Sequence, residues 1–236
     1  MTRAFANSPF RLAAILGLLG LAACSYRAGY GDNPFTRSFS WYSYLNGDDL
    51  RAYCRGGGPD RYRIVYNGVW EEQVRTYDIT ADPDRGGGDL VVQVSGPPDL
   101  SQEIPLDDLL APWRGKIVRD RIGRGELRAV RDALRTSGFD TPPPEGTRLQ
   151  SWSFFWIAIA CEGGRFKYNA WGYPSERFER VTLRPPLEAV DRSGVPFNPP
   201  RPDTEPERSD DTPGRRPDRY QLVVTPDGIS GHFTAF

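Results

Sequence analysis

The segment from Leu149 to Cys161 constrains the fold most, because it is the most apolar stretch outside the N-terminal region. Alternate side chains of a strand point to opposite faces, and here neither face is polar. Such a strand belongs in the middle of the packing, with other elements covering both of its sides. A turn signal follows at Glu162-Gly163-Gly164, and apolar and polar side chains then alternate from Arg165 to Trp171. The pattern predicts a hairpin whose first strand is central.

A second hairpin is predicted earlier in the chain. Residues 62–66 and 69–79 are rich in β-formers, and Asn67-Gly68 between them is a two-residue turn that hairpins favour. A third apolar run at residues 90–94 follows Gly86-Gly87-Gly88, which indicates an antiparallel meander. The predicted fold class is α+β: a mainly antiparallel sheet built from hairpins, one or two packed helices, and a Pro-rich disordered segment near the C-terminus.

The strongest helical signal runs from Gly125 to Thr136. Leu127, Val130 and Leu134 recur at spacings of three and four, which predicts a core-facing stripe. Weaker helices are expected at residues 104–110 and 49–54. The paired acids Asp48 and Asp49 lie at the start of the second of these helices. We interpret them as surface residues that suit the positive end of a helix dipole.

The composition changes near the C-terminus. Residues 196–216 are rich in proline and charge and almost free of apolar side chains, so they cannot bury enough surface to offset their ordering entropy. Two β-rich runs joined by a Pro-Asp-Gly turn follow. The expected organisation is a globular α+β domain at 35–190, a disordered linker at 191–218 and a hairpin at 219–236.

Residues 1–23 have the pattern of a secretory signal peptide. Arg3 and Arg11 precede a run of 12 apolar residues that ends at Ala23. A helix needs about 20 apolar residues to span a bilayer, so this run is too short. A positive region, a short apolar run and small residues together indicate export and removal of the leader.

The leader ends in Leu21-Ala22-Ala23-Cys24, with two small residues before a cysteine. This tetrapeptide resembles the lipobox of bacterial lipoproteins. The resemblance covers the leader and the first mature residue only. It implies that Cys24 receives a diacylglycerol on its thiol, that cleavage occurs just before it, and that the freed amine is acylated, for example with palmitate. The alternative is an ordinary cleaved leader followed by an incidental cysteine.

The lipobox resemblance also implies a location. The mature chain would be anchored to a membrane by lipid on Cys24 and would face the periplasm, with residues 24–34 as a spacer. In enterobacterial lipoproteins an Asp after the lipidated cysteine retains the protein at the inner membrane. Ser25 occupies that position here, which favours the inner leaflet of the outer membrane.

Charge is distributed unevenly along the mature sequence. Residues 24–236 contain 28 basic and 31 acidic residues, so no global positive field attracts nucleic acid, and export also argues against that partner. Residues 114–135 are the exception, with eight basic and three acidic side chains. If the predicted helix reaches back far enough, five arginines line one face of it: Arg121, Arg124, Arg128, Arg131 and Arg135.

This arginine ridge predicts an anion-binding surface for lipid phosphate, lipopolysaccharide or an acidic envelope protein. The alternative is a solvated helix face on which Asp132 bridges neighbouring arginines. Each such pair contributes only about 0.2–0.5 kcal/mol.

No catalytic residue, cofactor or metal ion is predicted. His232 is the single histidine, so the sequence supports neither a Ser-His-Asp arrangement nor a histidine metal cluster. A glycan hydrolase needs no histidine, and three carboxylate pairs are formally available to one: Glu71-Glu72, Asp107-Asp108 and Asp48-Asp49.

We therefore expect binding or scaffolding rather than catalysis. One alternative is a cell-wall or glycan hydrolase, which a cleft with two facing carboxylates about 5–10 Å apart would favour. Another is a glycan-binding module, which Trp and Tyr side chains on an open surface would favour.

Two cysteines remain once Cys24 is assigned to the lipid. Thiols of an exported chain meet oxidising conditions, so we predict a disulfide between Cys54 and Cys161. The alternative is two separately buried free cysteines.

Replacement of Cys24 tests the anchor. We predict that Cys24→Ser releases the protein from membranes or stalls its processing, because no thiol remains to carry the lipid. Cell fractionation and mass spectrometry of the N-terminal peptide measure both outcomes. Recovery of the unaltered mature protein in the soluble periplasmic fraction, without detergent, would contradict lipidation.

Overall fold

The computed structural model describes residues 37–96, 115–202, 220–225 and 228–233. The helices of these ranges are α1 (Arg37–Asn46), α2 (Asp48–Gly56), α3 (Arg124–Thr136), α4 (Glu176–Glu179) and α5 (Arg184–Val190). The strands are β1 (Arg61–Gly68), β2 (Val74–Ala81), β3 (Gly88–Ser95), β4 (Lys116–Ile122), β5 (Arg148–Gln150), β6 (Phe154–Glu162), β7 (Arg165–Gly172), β8 (Tyr220–Thr225) and β9 (Gly228–Phe233). The signal peptide, Cys24, the spacer and the helix expected at 104–110 lie outside the described residues. None of the described helices is long and apolar enough to cross a membrane.

A six-stranded antiparallel sheet is the centre of the fold, with strand order β4-β3-β2-β1-β6-β7. The predicted meander is confirmed, because β1 to β4 pair in succession. The strand predicted to be central is β6, and it lies between β1 and β7 with Ile157 opposite Val65 on one side and Ala170 on the other. Residues 154–161 are all buried. The mainly antiparallel α+β class is therefore correct.

The hairpin of β1 and β2 forms, but the predicted turn at Asn67-Gly68 is wrong. Asn67 remains paired with β2, and the chain reverses direction after Gly68, where Val69 has a φ of 67°. The buried Asn67 side chain donates hydrogen bonds to the carbonyl oxygens of Ser151 (3.0 Å) and Ser153 (2.6 Å). These distant carbonyl oxygens bond the amide N–H groups of Asn67, while its buried Oδ1 has no hydrogen-bond partner among the described residues. Asn67 therefore serves the sheet rather than the turn.

Each face of the sheet is covered by its own layer. On one side, which we call the helix face, the sheet packs against α3, α5 and residues 191–198. The predicted apolar stripe of α3 is buried in this layer through Leu127, Val130 and Leu134.

The other side, which we call the hairpin face, packs against α1, α2 and a three-stranded sheet of order β5-β8-β9. β8 and β9 form the C-terminal hairpin, which pairs with β5 and not with the main sheet. Trp41 of α1 is buried here, and its indole N–H donates a 2.9 Å hydrogen bond to the Tyr220 hydroxyl. Because this layer covers the second face, β6 needs no polar side.

Cys54 and Cys161 form a disulfide with Cα atoms 5.4 Å apart, which confirms the predicted pair. The bond joins α2 to the end of β6. The cysteines are 107 residues apart in the sequence. Closing a loop of that size stabilises a domain by about 4–5 kcal/mol in the chain-entropy model, against about 5–15 kcal/mol for the whole of a domain's stability. In that model the disulfide stabilises the domain as a whole by restricting the unfolded chain, and in the fold it ties α2 to β6.

Arg63 is buried on the hairpin face although it is charged. Its guanidinium donates to both carboxylate oxygens of Asp49, at 2.7 and 2.8 Å, and to Asp78 at 2.9 Å. It also lies 3.6 Å from the centre of the Tyr44 ring. The interpretation of Asp48 and Asp49 as two surface acids is therefore wrong for Asp49, whose side chain is only 9% exposed. A buried guanidinium needs carboxylate partners, and α2 supplies one of them.

A second buried arginine, Arg75, lies on the helix face. It donates hydrogen bonds to Asp191 at 2.6 Å, to the carbonyl oxygen of Pro196 at 2.7 Å and to that of Val195. The buried Phe197 ring lies beside it, 4.2 Å from the guanidinium. The expected linker therefore does not begin at residue 191, because this part of the chain packs on the sheet. Residues 203–219 lie outside the described residues.

Substitution of Asp49 tests how far the position of α2 depends on Arg63. We predict that Asp49→Asn lowers the free energy of unfolding by about 2–3 kcal/mol, because a buried guanidinium loses one charged partner and keeps Asp78. Asp48→Asn is the matched control, since it removes the same charge from the same helix end at an exposed position bonded to side chains of α1. Its effect should stay below about 1 kcal/mol. Equal losses in urea unfolding of the full chain would contradict the role given to Arg63.

Candidate anion-binding site

An open cleft of about 780 Å³ lies at one end of the main sheet. The start of β1, the end of β2 and the start of β3 meet at that end, because neighbouring strands of the sheet are antiparallel. Turn residues from these three places line the cleft, at 58–60, 81–83 and 86–87, and α3 contributes the remaining residues.

The burial of α3 determines which of its side chains reach the cleft. Leu127, Val130 and Leu134 point into the core, which leaves the arginines beside them free to face outward. Four of the five arginines predicted to form a ridge line the cleft together: Arg124, Arg128, Arg131 and Arg135.

Arg121 does not belong to this group, because α3 begins only at Arg124 and Arg121 lies on β4. Gly123 separates the two elements. Its backbone N–H donates a 2.6 Å hydrogen bond to the Glu126 carboxylate. Arg121 instead donates to Asp82 at 2.8 Å. The expectation of one helical face carrying all five arginines is therefore wrong for Arg121.

The four cleft arginines differ in their partners. Arg131 donates to Asp60 at 2.8 Å, and Arg135 lies 3.3 Å from Asp132 of its own helix. Arg135 also lies 3.4 Å from Glu162 at the end of β6, so its partners are not confined to its own helix. Arg124 and Arg128 are exposed and have no ion pair or hydrogen bond with any residue of the described ranges. They are the two cations of the cleft that remain available to a ligand.

The two aspartates in the cleft are already engaged. Asp60 accepts hydrogen bonds from Arg131 and, at 2.8 Å, from the backbone N–H of Gly163. Asp82 accepts from Arg121 and from two backbone N–H groups of the next turn, and these bonds lower the pKa of its carboxyl group. Four guanidinium groups therefore share the cleft with two carboxylates, of which one is paired with Arg131 and the other with Arg121 from outside the cleft, so positive charge predominates.

Two glycines bring the turn before β3 close to α3. Gly86 and Gly87 have φ values of 72° and 76°. A Cβ at Gly87 would lie 2.0 Å from the carbonyl oxygen of Ile122, and one at Gly86 would lie 2.6 Å from Nε of Arg124. The backbone contact requires glycine at position 87, whereas at position 86 it is the positive φ that favours glycine. The sequence identifies these residues as a turn, but their approach to Arg124 depends on the fold.

Neither of the two described carboxylate pairs considered for a hydrolase, at residues 48–49 and 71–72, lines the cleft. Asp49 is bound to Arg63, and Glu72 is bonded to Arg201 and Asn198. The pair at residues 107–108 lies outside the described residues. Among the described carboxyl groups, each clearly shifted pKa is lowered: those of Asp82, Glu162 and Asp191.

The lowered carboxyl pKa values have a common cause. Burial raises the pKa of both Glu162 and Asp191, but hydrogen bonds from neighbouring groups outweigh it. A general acid of a glycosidase requires the opposite shift.

Other site chemistries also lack geometric support in the described ranges. No group of three His, Cys, Asp or Glu side chains there is arranged to hold a metal ion. Trp41, Trp156 and Trp171 are buried, so much of the aromatic surface that a glycan-binding module would use belongs to the core. Trp70 and Trp152 are half-buried.

In comparisons with protein-family models, with curated proteins and with solved structures, the chain matched none.

Proposed function

We propose that this chain is a lipid-anchored, non-catalytic binding protein of the bacterial envelope, facing the periplasm from the outer membrane. Its basic cleft binds the phosphate group of an anionic phospholipid or of lipopolysaccharide. One observation carries the proposal: Arg124 and Arg128 are exposed on the cleft and have no charged partner in the described part of the chain.

Guanidinium chemistry suits a phosphate ligand. The planar guanidinium donates two parallel N–H groups to two oxygens, a geometry that phosphate and carboxylate match. Arg124 and Arg128 are four positions apart on α3, so their Cβ atoms lie about 5–6 Å apart on the helix surface and one phosphate is able to contact both. A ligand there displaces no carboxylate of the described chain.

The anchor makes a lipid headgroup the favoured source of phosphate. Thirteen peptide units separate Cys24 from Arg37, so the described fold begins within roughly 45 Å of the lipidated residue. A tethered site meets headgroups of the same membrane at a high effective concentration. A weak intrinsic affinity for the headgroup is then enough to keep the cleft occupied.

Binding is better supported than glycan hydrolysis. The two cleft aspartates are held by arginines, and hydrogen bonding lowers the pKa of Asp82. An ionised, bonded carboxylate does not protonate a leaving group at neutral pH. The same aspartates are useful to a binding site, because they hold Arg131 and Arg121 in place.

Charge reversal of the two unpaired arginines tests the proposal. The full lipidated chain in neutral detergent is titrated with micelles containing phosphatidylglycerol, and the heat of binding is measured. We predict that Arg124→Glu combined with Arg128→Glu weakens binding at least about tenfold, because two charge-assisted contacts of about 1.5–3 kcal/mol each are lost. Binding by the unaltered chain should also weaken as the salt concentration rises.

A matched control separates the cleft from general surface charge. Arg180→Glu combined with Arg192→Glu changes the net charge by the same amount at exposed positions outside the cleft. This variant should bind like the unaltered chain. Equal losses in the two double variants, or no binding by the unaltered chain at low salt, would contradict the proposed role of the cleft.

A further inference from the structure

A second, smaller pocket of about 300 Å³ lies on the helix face, away from the basic cleft. Its floor comes from adjacent strands, since Tyr66 of β1 pairs directly with Trp156 of β6. Tyr173, just after β7, and Phe178 of α4 form the aromatic side of the pocket. Its volume is at the lower end of the roughly 300–1,000 Å³ found for small-molecule sites, which suits a small ligand with a single apolar side chain.

The aromatic walls are fixed by contacts with one another. The rings of Tyr66 and Trp156 have centroids 4.5 Å apart, and Tyr173 meets Phe178 edge-on at 5.3 Å. The Tyr66 hydroxyl is already used, because it donates a 2.5 Å hydrogen bond to the carbonyl oxygen of Asn198. The interior of the pocket is therefore preformed and apolar.

Two side chains of opposite charge stand among the residues that line this pocket, Glu179 and Arg184. Glu179 is exposed and forms no ion pair within the described ranges. Arg184 uses its Nε–H to bind Glu188 at 2.8 Å, which leaves its two terminal nitrogens for another partner. Burial raises the pKa of Tyr66 and the charge of Arg184 opposes that rise, as expected for a guanidinium close to the pocket floor.

We propose that this pocket binds a free α-amino acid with an apolar side chain. The aromatic walls take the side chain, the Arg184 guanidinium binds the α-carboxylate, and the Glu179 carboxylate binds the α-ammonium group. A ligand with only one charge leaves either Glu179 without a cation or the two terminal nitrogens of Arg184 without an acceptor. A peptide fits less well, because each peptide bond removes one of the two charges from the residue that enters the pocket.

The proposal is independent of the basic cleft, and titration of the full lipidated chain in neutral detergent tests it. L-phenylalanine and L-leucine are compared by calorimetry with 3-phenylpropanoate, which lacks the amine, and with 2-phenylethylamine, which lacks the carboxylate. We expect the amino acids to bind at least about tenfold more tightly than either analogue, since each analogue loses one charged contact. A dipeptide of phenylalanine should bind more weakly than the free amino acid.

Variants at the rim locate the site. Glu179→Gln and Arg184→Gln should each weaken amino-acid binding at least about tenfold, whereas Arg180→Gln should not. Arg180 is the matched control because it is an exposed arginine of the same region that pairs with Glu176 and does not line the pocket. The rim residues are exposed, so these changes leave the core intact. No binding of either amino acid up to about 10 mM, equal binding of the single-charge analogues, or unchanged binding by both rim variants would overturn the proposal.

Discussion

A charge that is buried inside a protein must be paired, and this requirement organises both faces of the central sheet. Arg63 and Arg75 sit on neighbouring strands and point to opposite sides. On one face Arg63 is bound by Asp49, which fixes α2 against the sheet. On the other face Arg75 is bound by Asp191, which holds the chain that follows α5. The two layers therefore depend on these ion pairs as well as on apolar contacts. Loss of Asp191 leaves the buried Arg75 without a carboxylate partner in the described ranges, whereas loss of Asp49 leaves Arg63 with Asp78 alone.

The same requirement distinguishes structural arginines from those that are available to a ligand. Arg131 borders the cleft with its charge matched by Asp60. Arg124 and Arg128 lie on the same helix, yet they are exposed and lack a partner in the described ranges. Because both guanidinium groups are exposed, water solvates their charge in the free protein. A phosphate that binds there replaces water and breaks no ion pair. The fold brings these two cations to the end of the sheet by burying the opposite stripe of α3, and the glycines before β3 let the turn approach Arg124.

The sequence predicts those features that depend on local patterns. The double-sided apolar run of β6, the stripe of α3 and the Cys54–Cys161 pair all follow from spacing, composition or cysteine count, and the structure contains each of them. Features set by distant partners were missed. The sequence predicts Asn67 to be a turn residue, but in the fold its amide N–H groups bond the carbonyl oxygens of Ser151 and Ser153. It likewise predicts Asp49 to be a surface acid, but Arg63 binds its carboxylate. The cleft was predicted in part, since the helical arginines are visible in the sequence, whereas the turns that complete it come from three separate strands.

The central claim is that the arginines of this protein fall into a paired structural set and an unpaired set that binds anions. NMR spectra of the arginine Nε–Hε groups of the full chain, recorded during titration with inorganic phosphate, test it most directly. The account predicts that the signals of Arg124 and Arg128 shift progressively with phosphate, while those of the buried Arg63 and Arg75 stay unchanged and exchange slowly with water. Phosphate-dependent shifts at Arg63 and Arg75, or an absence of shifts at both Arg124 and Arg128, would contradict it.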